Sequence, residues 1–130
     1  MTKKLIFCYG TLCANFGNHQ VIKDKTTKYL GEAETLPEYT IYAGGFPIVE
    51  RSGTTSIKGE VYEVNDEHVL DHVYSLENYS GVPNKYGGKN WYDVDTILTK
   101  FGECEIFVQN AGQSGRNKKI DSGDWRKNNY

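Results

Sequence analysis

Apolar residues in this chain fall in short runs, each halted by glycine or a polar cluster, a rhythm that predicts strands. Leu5–Tyr9 is apolar and stops at Gly10, while Tyr29–Thr35 alternates loosely. Tyr39–Tyr42 is aromatic and β-branched and ends at Gly44-Gly45. Ile57–Val64 alternates fully: Ile57, Gly59, Val61 and Glu63 share one face, and Lys58, Glu60, Tyr62 and Val64 the other. Tyr92–Leu98 and Cys104–Val108 complete the predicted strands. Two segments show helical spacing instead. One runs from about Asn18, as N-cap, to Lys25; the other runs from an Asn65 N-cap to Glu77. The expected fold class is α+β, a mostly β sheet or barrel with one principal helix, and ten tyrosines suit a β-rich body.

Glu77 breaks the polar pattern of its helix. Leu70, Val73 and Glu77 stand at spacings of three and four, so they share the apolar face, and the other acids and both histidines of the segment point elsewhere. A carboxylate turned toward the core loses water, and at a helix C-terminus it also meets the negative end of the dipole. Both effects raise its pKa toward the range of a general base.

At 130 residues, with 38% hydrophobic and 25% charged positions, the chain reads as one soluble domain over residues 1–130. The polar 112–130 tail is expected to pack back on it, with Trp125 as the anchor. A net charge of −2 argues against a nucleic-acid partner. The late basic stretch Arg116, Lys118, Lys119, Arg126, Lys127 is interrupted by Asp121 and Asp124 and reads as a solvated face. No apolar run reaches membrane-spanning length, and the N-terminal run is too short for a signal peptide. The cysteines are Cys8, Cys13 and Cys104, an odd count that suggests no disulfide framework and a cytoplasmic setting.

Chemistry has several candidate seats. The turn Tyr9-Gly10-Thr11-Leu12 follows a strand that runs straight into glycine, and its backbone N–H groups can form a nest for an anion such as a carboxylate. The helix expected after it would add a dipole to the same place. Cys8 or Cys13 with His19 could form a thiol–imidazole pair, Cys13 being the one expected in an exposed loop. His68 and His72 lie four apart on one helix face, but no HExxH pattern or third ligand accompanies them, and no metal or other cofactor is expected. Tyr86, Trp91 and Tyr92 flank a Pro/Gly-containing segment, Val82–Asn90, that can form the lip of a pocket.

In order along the chain stand YGTL at Tyr9–Leu12, Gly17-Asn18-His19, Phe46-Pro47-Ile48-Val49 and IKGEVY at Ile57–Tyr62. They are followed by Leu70-Asp71 through Leu76-Glu77-Asn78-Tyr79 and by SGDW at Ser122–Trp125. In this order they resemble the γ-glutamylcyclotransferase-like superfamily, and most closely its γ-glutamylamine cyclotransferase, AIG2-like and YtfP-like members. The resemblance implies a mixed β-barrel with flanking helices and a cavity where the YGTL loop faces the helix-end glutamate. It implies that Tyr9, Gly10, Thr11 and Leu12 hold a small γ-glutamyl substrate. Glu77 would act as base on the α-amine, which attacks the γ-carbonyl and releases 5-oxoproline and an amine. One departure is plain: family members often carry Tyr-x-Arg after the glutamate, and here the stretch NKYGGKNWYDVDT has no arginine. Two other readings stay open, a non-catalytic binding module on the same fold and a Cys13-dependent hydrolase.

Overall fold

The computed structural model describes residues 3–10, 12–13, 19–43, 48–76, 93–108 and 118–128. Strand β1 (Lys4–Cys8) lies at the centre of a five-stranded mixed sheet that also holds β2 (Lys28–Glu34), β5 (Lys58–Val64), β6 (Asp93–Thr99) and β7 (Gly102–Val108). The order is β2-β5-β1-β7-β6. β1 runs antiparallel to β5, with Cys8 opposite Glu60, and parallel to β7. A second, two-stranded sheet pairs β3 (Tyr39–Tyr42) with β4 (Ile48–Thr55). The helices are α1 (His19–Ile22), α2 (Glu67–Leu76) and α3 (Trp125–Asn128).

Period-two alternation sends the side chains of β1 to two cores. Phe7 enters one cluster with Tyr39, Ile41, Val49, Val61, Ile106 and Trp125. Ile6 and Cys8 enter the other with Ile22, Tyr62, Val64, Val69, Leu70 and Val73. A strand covered on both faces reads as a continuous apolar run, and LIFC does. At Gly59 β5 has no room for a side chain: a Cβ there would overlap the carbonyl oxygen of Cys8 and press on the Phe7 ring.

The expected barrel is not closed. Among the described residues the five-stranded sheet is open, with β2 and β6 at its edges. The β3–β4 ribbon covers one face, its Tyr39, Ile41 and Val49 packing among Phe7, Val61 and Ile106. The segment before α3 joins this ribbon. Ala43 donates to the Lys118 carbonyl at 2.8 Å, Ile120 donates to the Ile41 carbonyl at 2.8 Å, and Tyr42 bridges Lys119.

The helices differ from expectation at their ends. α1 is one turn of four residues, too short to carry much of a macrodipole, so the expected dipole contribution is weak. Asn65 does not cap α2. Asp66 does, its Oδ1 accepting the His68 N–H at 2.8 Å, while the Asn65 amide donates to the Thr26 carbonyl at 2.8 Å. α3 had no helical spacing to announce it. Asp124 caps it by accepting the Arg126 N–H at 3.1 Å, and Gly123, at φ +77°, makes the preceding turn. Its Trp125 is only 1% exposed within the first core.

Candidate active site

The turn after β1 is clamped from several sides. Tyr9 is buried, and its hydroxyl donates to the carbonyl of Phe107. The Cys13 N–H donates to the Gly10 carbonyl at 3.0 Å. The Cys13 thiol donates to the Cys8 carbonyl, the last of β1, at 3.2 Å. The Leu12 carbonyl lies 2.8 Å from Nδ1 of His19. Leu12 and Cys13 are buried in the same cluster as Ile22 of α1, Tyr62 of β5 and Val69, Leu70 and Val73 of α2.

Glu60, opposite Cys8 at the start of β5, is buried on the same sheet face as Tyr62 and Val64. Its Oε1 accepts the Tyr62 hydroxyl at 2.7 Å, and its Oε2 accepts Nη1 of Arg126 at 3.0 Å. Arg126 also grips Asp124 with both Nε, at 2.9 Å, and Nη2, at 3.0 Å, and donates from Nη2 to Glu32 at 3.0 Å. Its side chain is 12% exposed, against 3% for Asp124 and 11% for Glu60. Burial alone would raise the Asp124 carboxyl, but the hydrogen bonds and charge of Arg126 win and hold it below its ordinary value. Arg126 therefore does not belong to a solvated basic face. Lys118, Lys119 and Lys127 are exposed, whereas Arg126 is the centre of a largely buried ion cluster.

Cys13 is not in an exposed loop. It is fully buried, and burial first, then the charge of Glu60, pushes its thiol far up from the ordinary range. A thiol that donates its proton to a carbonyl and stays protonated is a poor nucleophile. His19 Nδ1 faces the Leu12 carbonyl and not the sulfur. The folded protein is therefore expected to resist iodoacetamide at pH 8, with all three cysteines alkylated only after denaturation. Mass spectrometry of the intact chain reads this directly, and rapid native labelling at Cys13 would contradict it.

The structure places Tyr9, Gly10 and Leu12 together at the end of β1. Thr11 and Glu77 lie outside the described residues, as do Tyr86, Trp91, Tyr92 and the Asn18 N-cap. His68 and His72 are both exposed on α2. Among the described residues no three metal-ligating side chains converge. An open groove of about 510 Å³ runs beside the ion cluster, between Glu32 and Glu34 of β2, Lys58 of β5, Lys100 and the Asp124–Lys127 segment. Sequence reasoning missed Glu60 as a site residue. Its signal was an acid followed on the same strand face by Tyr62 and Val64.

The sequence profile described as "Gamma-glutamyl cyclotransferase, AIG2-like" matches residues 6–127, nearly the whole chain and the turn with it. The chain belongs to this family. A Vibrio cholerae protein named as a candidate gamma-glutamylcyclotransferase is 40% identical over 123 residues, covering 93% of this chain and 94% of its own. One from Methanocaldococcus jannaschii, also named as a candidate gamma-glutamylcyclotransferase, is 34% identical over 122 residues with the same coverages. Among solved structures, an uncharacterised Pyrococcus horikoshii protein superposes with a TM-score of 0.72 at 27% identity, covering 95% of this chain and 91% of its own. In this member of the γ-glutamyl cyclotransferase, AIG2-like family, Tyr9, Gly10 and Leu12 of YGTL lie at the end of the central strand, and Leu12 shares a buried cluster with the apolar residues of α2. No helix among the described residues is long and apolar enough to cross a membrane.

Proposed function

We propose that this chain is a γ-glutamyl cyclotransferase acting on γ-glutamyl amines or peptides. Glu77 is the general acid/base, and Tyr9, Gly10, Thr11 and Leu12 hold the substrate. Beyond family membership, the observation that carries the reading is the clamped turn at the end of β1, whose Leu12 and Cys13 share a buried cluster with Leu70 and Val73 of α2. Glu77 stands four residues beyond Val73 in the sequence, the next position of that face.

The chemistry is an intramolecular acyl transfer. Glu77 takes a proton from the substrate's α-amine, whose nitrogen then attacks the γ-carbonyl carbon. The new C–N bond closes a five-membered ring, and the C–N bond to the amine half breaks. The same carboxyl returns the proton to the departing nitrogen, so 5-oxoproline and a free amine leave and no water is consumed. Holding nucleophile and carbonyl in one chain conformation supplies much of the rate. Backbone N–H donors of the turn anchor the glutamyl carboxylate or the developing oxyanion. Such donors help most when they do not move during the reaction, and the clamped turn meets that condition.

The test is 5-oxoproline release from a panel of γ-glutamyl compounds that includes γ-glutamyl-ε-lysine and γ-glutamyl-alanine. Release from at least one member is expected, and the best substrate names the amine half. The groove beside Lys58 and Lys100 favours one other reading, a binding module for a small charged ligand. Ligand binding that survives Glu77→Gln with no product from any panel member would favour that module.

A further inference from the structure

We propose that His19 is a positioning residue for the turn: its ring fixes the plane of the Leu12–Cys13 peptide and so aims the turn at the substrate. The inference rests on the cyclotransferase reading of the turn. That peptide is held at both ends. Its N–H donates to the Gly10 carbonyl at 3.0 Å, and its C=O lies 2.8 Å from Nδ1 of His19. A carbonyl oxygen has no hydrogen to give, so Nδ1 carries the proton and donates it. A rotation of this peptide would break both bonds and turn its dipole away from its present direction.

What holds the histidine is not its own helix, since a four-residue turn has little stability alone. The Tyr62 ring packs against it, with centroids 5.5 Å apart and planes tilted by 55°. Tyr62 is fixed in turn by its hydroxyl bond to Glu60 at 2.7 Å, and Glu60 by Arg126 at 3.0 Å. A line of contacts therefore runs from the ion cluster at α3 through Tyr62 and His19 to the Leu12 carbonyl. An ordinary strand-to-helix turn does not need such bracing. A turn whose donors must stay aimed at developing charge does, because small misplacements cost catalysis heavily.

His19→Asn and His19→Ala separate the roles open to this residue. The asparagine amide N–H falls close to where Nδ1–H stands, so Asn keeps the donor and discards the titratable ring. The native protein is expected to show the Nδ1–H tautomer of His19 at pH 8 by ¹⁵N NMR. His19→Ala is expected to lose roughly tenfold or more in kcat/KM for 5-oxoproline release, chiefly in kcat. His19→Asn is expected to recover most of that loss, with the native pH profile. An Nε2–H tautomer would overturn the proposal, and so would native kinetics in His19→Ala. Equal impairment of Asn and Ala would overturn it as well, in favour of a role for the ring itself. The Cys13 amide, exchanging faster with solvent in His19→Ala than in the native protein, reports the turn without any substrate, and unchanged exchange would contradict the clamp. If the native chain releases no 5-oxoproline from any panel member, the reaction reading fails and positioning for that reaction fails with it. The tautomer and the exchange rate still decide whether His19 holds the turn.

Discussion

Glu77→Gln is expected to lower 5-oxoproline release by about 10²- to 10⁴-fold while the thermal midpoint stays near that of the native protein, the range a positioned general acid/base contributes. Glutamine keeps the shape and hydrogen-bonding reach of glutamate and removes only the group that takes and returns the proton. The loss should fall on kcat more than on KM, because the carboxylate's part lies in proton transfer and the turn is left to bind the glutamyl end. Steady-state kinetics beside a melting curve read both quantities. An active Glu77→Gln protein would remove Glu77 from the mechanism, whatever the family.

The second large effect is structural. Arg126→Ala is expected to destabilise the fold by about 3–5 kcal/mol at pH 7, the cost of stranding buried charge when one partner is removed. Two carboxylates are left behind, Glu60 at 11% and Asp124 at 3% side-chain exposure. The pH dependence fixes the cause. In the native protein the Asp124 carboxyl is held below its ordinary 3.8, so its contribution is present above about pH 4 and is lost as pH falls through the lowered value. Without the guanidinium, only the backbone N–H of residue 126 and the charge of Lys127 still oppose burial, so that carboxyl rises from its native position. The variant then loses less stability than the native protein as pH falls. The gap between native and variant should therefore narrow from pH 7 to pH 3. Urea titrations at pH 7, 5 and 3 measure it, and a constant gap would point to lost packing of the arginine stem instead.

Much of the fold was legible because its strands are apolar and short. β1, β3, β5 and β7 stand close to where their residues predict them, and the alternation of β5 correctly separates Val61 from Tyr62 and Val64 into two cores. The apolar face of α2 was legible too, with Leu70 and Val73 buried and His68 and His72 exposed. β4 was missed as an element because its second half, Arg51 to Thr54, is exposed and carries no alternating signal. The role of Arg126 was misread because its main partner, Asp124, was taken as an interruption of a basic face, and its other partners, Glu60 and Glu32, are 66 and 94 positions away, where no local pattern reports a pairing. Cys13 was expected to be exposed because it follows a turn. Turns usually lie at the surface, but Cys13 here joins a buried cluster with residues of β1, α1, β5, α2 and β7. Of the candidate site, the YGTL turn stands out by its glycine, whereas the ring that holds it, His19, gained its part only through contact with Tyr62 and the Leu12 carbonyl.

Cyclisation differs from hydrolysis in where the glutamyl group ends, and this gives the most direct measurement. The native protein is incubated with the best γ-glutamyl compound of the panel, and 5-oxoproline, free glutamate and the released amine are quantified together. The account predicts 5-oxoproline and amine in equal amounts with no glutamate above the uncatalysed background. Amine matched by glutamate, or no amine from any compound, would contradict it.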